Sequence, residues 1–363
     1  MNCASSRCVL TCCVLSKVTL PTVEQFGLRG AAQDAFHQRA ASIAIEQFGR
    51  RVFIRAVVEV SNFCRENCDY CGMRRDNRNL TRFRAKHDQL AELLINHRPA
   101  SVTDVNIQSG EDPVSTREVV LPLIKTLRRE TDLGISVCLG SLDHKLYAEL
   151  QDAGASIYII KYEIAGASAY ADMHAPGNYD ERLDHIRHLA TTGWRVSSGF
   201  IAGLPGQSDR DLLANFQLAN DLPLDGCSVS PFIPGDETPL AKSPVADIDL
   251  ALNCMAALRI MRPDWVIPAV SALNIADPGA GYTRGLRTGA NLVTINLTPS
   301  DVRGDYLLYK RDRFIMTEDR ILKAIAKVGL APSSQSLAGF YSTANKPAVT
   351  ASRRGQTVPA SAP

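Results

Sequence analysis

Eight short apolar runs alternate with longer amphipathic ones between residues 52 and 296, and that rhythm leaves few folds open. The strand candidates are residues 52–60, 104–108, 134–139, 156–162, 195–202, 226–232, 265–270 and 291–296. Between them, apolar residues at helical spacing mark 87–96, 117–130, 142–151, 179–192, 208–220, 247–261 and 282–289. Each parallel return needs a crossover connection, so strands alternating with helices predict a parallel sheet. Eight such units predict an α/β chain folded as a complete (β/α)8 barrel of TIM type. An open doubly wound sheet is the main alternative, and it predicts a dinucleotide-type glycine loop after the first strand. A cysteine motif stands there instead.

That motif is Cys64, Cys68 and Cys71, spaced C-x3-C-x2-C directly after the first strand candidate. Thiolate ligands favour zinc or an iron–sulfur cluster over harder cations. A structural zinc site closes its fourth position. The nearest further candidates are His87 and Cys138, so nothing adjacent supplies that ligand. Three ligands leave one metal position open, which suits a centre that must touch a substrate or cofactor. Tyr70 adds a flat aromatic surface beside it. A zinc-binding scaffold without catalysis is the competing reading.

In a barrel of this kind function gathers at the C-terminal ends of the strands. Residues 108–113 follow the second strand candidate, Glu163 closes the fourth, and residues 296–300 close the last. Ser109, Gly110 and Glu111 combine close backbone approach with a carboxylate that accepts from an ammonium.

The cysteine spacing, with an aromatic before the third Cys, resembles the signature of the radical S-adenosylmethionine (SAM) superfamily. The blocks at 54–62, 71–77, 108–113, 203–207, 231–234 and 289–291 resemble one branch of it, that of the [FeFe]-hydrogenase maturase HydE, biotin synthase and the pyrrolysine-pathway enzyme PylB. Together they span roughly residues 31 to 330. The resemblance implies an enzyme in which Cys64, Cys68 and Cys71 hold a [4Fe-4S] cluster and SAM binds the open iron. It places Tyr70, Ser109, Gly110, Glu111, Ser136, Glu163, Arg182 and Ile201 around SAM, with the Arg182 fork on the SAM carboxylate. It places Tyr306, Lys161 and Ser271 at the reaction site. A small-molecule substrate and a reductant such as flavodoxin or ferredoxin are the implied partners. Hydrogenase cofactor maturation is the specific activity implied, and PylB-like or biotin-synthase-like chemistry on an amino-acid-derived metabolite is the alternative.

This chain departs from the HydE pattern in the substrate region. Lys161 stands for an arginine, Tyr162 for a histidine, Val270-Ser271 for two threonines, and Cys138 for a serine. These changes imply a related but different substrate, or a relaxed site. No cysteine follows Cys254, so a C-terminal auxiliary cluster lacks ligands.

A net charge of +2, from 40 basic and 38 acidic residues in 363, gives no broad case for nucleic acid or an anionic membrane. No apolar run is long enough to span a bilayer. Of ten cysteines, four (Cys3, Cys8, Cys12 and Cys13) fall in the first thirteen residues and three in the motif, a distribution unlike a secreted disulfide framework. A reducing cytoplasm is therefore expected. The chain divides into a Cys-containing leader (1–30), a barrel opened by a helical extension at 31–49 (31–345), and a Ser/Ala/Pro-rich tail expected to be disordered (346–363).

Overall fold

The computed structural model describes residues 18–311 and 314–343. The four leader cysteines and the expected tail lie outside the described residues. Seven strands run parallel: β1 (Arg51–Ser61), β2 (Asp104–Ser109), β3 (Gly134–Cys138), β4 (Ile157–Ile159), β5 (Arg195–Ala202), β6 (Gly226–Pro231) and β7 (Leu292–Asn296). Their order is β6-β5-β4-β3-β2-β1-β7. Each strand to β6 is added beside its predecessor with no reversal, and β7 joins β1 on its free side. A doubly wound sheet would reverse direction and create a switch point. The strands are buried almost throughout, as a parallel sheet under covering helices must be.

The expectation of a complete eight-stranded barrel needs correction. The ladder is a parallel half-barrel of TIM type, and the expected strand at 265–270 is absent from it. This segment meets its neighbours only at single bridges, Gly226↔Val266 and Pro268↔Leu292. Two features break the ladder there. Pro268 has no N–H to donate. The Ile267 N–H donates to the side chain of Asn291 at 2.9 Å instead of to a facing carbonyl. A two-residue strand that the sequence did not announce, β8 (Ala331–Pro332), pairs with the start of β1.

The helical extension, Gly30–Phe48, ends at Gly49, whose φ of 68° suits glycine. It covers the helix Ile248–Met261, which explains why that helix is buried on nearly every face. Asn253 ties the two together, with its amide donating to the carbonyls of Phe26 and Leu28 and its oxygen accepting from Gln33. Arg259, on the same helix, is fully buried with no carboxylate within ion-pair distance among the described residues. It donates to the carbonyls of Gly289, Pro263 and Trp265 and to Asn291 Oδ1. The 289–291 block thus serves as an anchor for the helix–β7 junction. Arg259→Leu would strip partners from several buried acceptors and is expected to cost about 2–4 kcal/mol, read as a lower urea midpoint.

Candidate active site

A cavity of about 300 Å³ opens at the C-terminal ends of the strands. All three motif cysteines line it. Cys68 is buried, and Cys64 and Cys71 are half-buried. Their loop is shaped by close approaches and by one arginine. A Cβ on Gly110 would lie 2.3 Å from the Phe63 carbonyl, and one on Gly72 would lie 2.5 Å from that of Leu307. Only glycine lets these backbones meet. Arg82 donates to the carbonyls of Asn62, Met73, Arg74 and Asn77, pinning the loop from both ends. Sequence reasoning missed Arg82, which no motif marks.

Burial pushes all three thiols up, Cys71 to about 12. Bringing three thiolates together in such a place requires a metal, which deprotonates its thiols outright. Among the described residues no three His, Cys, Asp or Glu side chains are gathered to hold one metal ion. Single-ion geometry is not what a cubane asks for, since each thiolate there takes its own iron.

Glu111 and Arg182 face each other across the cavity wall at 3.0 Å, both nearly buried. Arg65 holds the other Glu111 oxygen at 3.1 Å, and Ser141 Oγ accepts from Arg182 at 2.9 Å. Burial opposes the Arg182 charge, yet Glu111, Tyr170 and Glu163 together outweigh it and raise its pKa. Gly140 has a φ of 72°, and a Cβ there would lie 2.1 Å from Glu111 Cγ. Gly140→Ala is therefore expected to push Glu111 from its place. It should cost at least ~1 kcal/mol of stability, measured by melting.

Glu163 adopts a φ of 61°, unusual for a residue with a Cβ. It sits between two backbone bonds to β5, from its own N–H to Gly199 and from Ile201 to its carbonyl, each 3.0 Å. Those bonds hold the strained turn and aim its carboxylate inward. Lys161 Nζ lies 3.9 Å from that carboxylate and donates to Ser230 Oγ at 3.3 Å. Burial disfavours the Lys161 charge, but Glu163, Tyr309, Cys138 and Cys71 together outweigh it and raise the Lys161 pKa.

Among the described residues, Tyr70 Oη and Arg182 Nε are buried at this site without a hydrogen-bond partner, while Glu111 Oε1 and Glu163 Oε2 meet the charges of Arg182, at 3.0 Å, and Lys161, at 3.9 Å, without an aligned hydrogen bond. Unsatisfied buried groups are rare in folded chains. Two carboxylate oxygens and a guanidinium N–H, held close to a cysteine loop, match the ammonium and carboxylate of an amino-acid-like ligand.

The other expected residues divide. Ser109, Tyr306 and Ser271 line the cavity, with Ser271 exposed at its mouth. Ile201 lines a small adjoining pocket with Tyr70, Lys161 and Glu163. Ser136 does not line the cavity. Its hydroxyl is spent on the Val105 carbonyl and Asn106 Oδ1, both at 3.1 Å, and Asn106 reaches the cavity in its place. Tyr162 also points away, donating to the Asn215 carbonyl at 2.8 Å in the helix layer.

Sequence reasoning missed Arg55 and Tyr309. Arg55, Val57 and Glu59 share one face of β1 and all line the cavity. The signal was present as two charges at period two in an otherwise apolar strand. Arg55 donates to Thr294 Oγ1 at 3.1 Å and has no carboxylate within ion-pair distance among the described residues. Tyr309 lines both pockets beside Lys161.

Residues 58–219 match the radical SAM superfamily. The chain is 32% identical over 304 residues to the [FeFe] hydrogenase maturase subunit HydE of Thermotoga maritima, covering 82% of this chain and 87% of that protein. It is 24% identical over 312 residues to a 3-methylornithine synthase of Methanosarcina barkeri, covering 83% and 86%. The solved structure of methylornithine synthase (PylB) superposes with a TM-score of 0.75 at 21% identity, over 87% of this chain and 95% of that one.

Proposed function

Because this chain belongs to the radical SAM superfamily, on the branch of HydE, 3-methylornithine synthase and biotin synthase, we propose that it cleaves SAM reductively to act on a small anionic substrate, in a HydE-like role. Members of the superfamily use a [4Fe-4S] cluster and SAM, and Cys64, Cys68 and Cys71 are the residues that would hold the cluster. When bound, the cluster supplies one electron that splits SAM into methionine and a 5′-deoxyadenosyl radical.

The observation that carries this reading is the set of buried polar atoms beside the cysteine loop that keep hydrogen-bonding capacity to spare. Glu111 and Glu163 accept from the SAM ammonium, and the Arg182 fork takes its carboxylate. Gly110 allows the backbone to come close, and Tyr70 packs its ring beside the open metal position. Arg55 and Lys161 give the inner cavity two positive charges, with Ser230, Cys138 and Tyr309 as neighbouring polar groups. That lining favours a small anion, sulfur- or amine-containing, and Ser271 meets it at the mouth. Tyr306 stands ready for proton transfer. The segment at 265–268 touches β6 and β7 at single bridges, Gly226↔Val266 and Pro268↔Leu292, and helps to shield the reaction from water. Maturation of a hydrogenase cofactor, with electrons from a flavodoxin or ferredoxin in the cytoplasm, is the biological setting this reading implies.

Anaerobic reconstitution tests it. About four irons per chain and release of 5′-deoxyadenosine on reduction with SAM are expected. Tightly bound zinc with no SAM cleavage would replace the enzyme reading by the scaffold one. For the substrate side, Arg55→Met should weaken binding of methylthioacetate, a small anionic thioether, by about tenfold. SAM affinity measured in parallel separates the two roles, because an equal loss there would place Arg55 on the SAM side of the cavity instead.

A further inference from the structure

Arg182 does not hold its place alone. Its partner Ser141 belongs to the turn after β3, and this turn is gripped from two sides. On the cavity side, Ser141 Oγ accepts from Arg182 at 2.9 Å and the Ser141 carbonyl accepts from Arg65 at 2.7 Å. On the outer side, the Leu142 N–H donates to Tyr147 Oη at 3.0 Å, and the same oxygen lies 3.1 Å from His185 Nδ1. Tyr147 is buried, with its ring packed edge-on to Tyr158 at 5.0 Å. Tyr158 in turn donates to the carbonyl of Gly140 at 2.9 Å. His185 lies one turn beyond Arg182 on the helix Tyr179–Thr191, so the chain of contacts returns to the arginine it serves.

We propose that Tyr147 and His185 are positioning residues for SAM: they hold the Leu142 amide from outside the barrel, and so fix Ser141, Arg182 and Arg65 around Glu111. The inference rests on the reading of Arg182 and Glu111 as SAM contacts.

The proton arrangement gives this chain a pH sense. Tyr147 Oη accepts from Leu142, and in the neutral tautomer of His185 whose proton sits on Nε2 the Tyr147 proton goes to Nδ1. The groups facing His185 are Arg182, Glu181 and His188 on its own helix, and His144 and Tyr147 on the helix His144–Ala153. His144 stacks on His188 with ring centres 3.6 Å apart and meets His185 edge-on at 5.9 Å. Burial first, then Arg182 and His144, pull His185 below its ordinary value of 6.5. A base lowered in the folded state contributes in its neutral form. Its contribution is full above the ordinary histidine range and is lost as pH falls through the folded value. Protonation removes the acceptor for Tyr147 and adds a positive charge one turn from Arg182.

The test is calorimetric titration of SAM into anaerobically reconstituted wild-type, Tyr147→Phe, His185→Phe, His185→Gln and Arg182→Met enzymes, at about pH 7.5 and about pH 5.5. Tyr147→Phe and His185→Phe are expected to weaken SAM binding about five- to tenfold at the higher pH. Both should flatten the acid loss that the wild type shows. His185→Gln offers an amide oxygen to the same proton, and should return affinity to within about twofold while removing the acid loss. A merely structural role would lower melting temperatures and leave SAM affinity and its pH dependence at wild-type values, which would overturn the proposal. Loss of SAM binding in Arg182→Met with wild-type behaviour in Tyr147→Phe would overturn the positioning chain alone. Wild-type affinity in Arg182→Met would overturn the SAM assignment and this proposal with it.

Discussion

A Cys68→Ala chain, reconstituted anaerobically, is expected to lose its cubane and to release 5′-deoxyadenosine at less than about a thousandth of the wild-type rate. In the proposed reading three thiolates are the whole protein ligand set, and among the described residues no fourth cysteine belongs to the loop that carries them. Cys68 is the most enclosed of the three, 6% exposed, so alanine there opens a gap that solvent thiols enter poorly. Two controls isolate the effect. Cys227→Ala removes a fully buried thiol in β6 and should cost stability while leaving iron content and SAM cleavage near wild type. Cys138→Ser changes the cavity wall beside Lys161 and should alter substrate handling without loss of iron. A Cys68→Ala protein that still cleaved SAM would contradict the ligand assignment.

The parts of this molecule legible in the sequence are those set by periodicity and by glycine. The bounds of β5 and of the helix His87–Asn96 coincide with expectation, because apolar runs there end at clear turn signals. Ser208 caps its helix as expected, in a capping box with Asp211. What was hidden depends on partners distant in the chain. β4 is shorter than its apolar run, and beyond it the Tyr162 N–H donates to Ser198 Oγ at 3.2 Å instead of to a strand carbonyl before Glu163 turns to positive φ, which composition does not announce. The segment at 265–270 reads as a strand by pattern, yet Pro268 and the Asn291 amide prevent a ladder. Ser136 and Tyr162 show the same limit for side chains. Each lies at a suggestive position, and each spends its hydroxyl in the wall or the helix layer. Departures from a family pattern at Tyr162 therefore bear on packing, while those at Lys161, Ser271 and Cys138 bear on the cavity.

Glu111→Ala should give the second large effect, because it breaks a buried charge network and the proposed SAM contact at once. Glu111 is 7% exposed and Arg182 4%, so alanine leaves a guanidinium enclosed without its main counter-charge. Breaking one side of a buried pair costs about 3–5 kcal/mol. Arg65 suffers less, since it is half exposed and has Glu66 at 3.3 Å. Glu111→Gln separates charge from shape. Its amide keeps the volume that Gly140 makes room for and still accepts from Arg65, but presents no negative charge to Arg182 or to an ammonium. Glu111→Gln is therefore expected to retain most of the stability that alanine loses, and to bind SAM about a hundredfold more weakly than wild type. Calorimetry on the reconstituted proteins, paired with melting curves, reads both quantities. Parallel loss of stability and affinity in alanine and glutamine variants would mean that Glu111 acts only as scaffolding for Arg182. The gap between the two variants measures what the carboxylate does for the ligand itself.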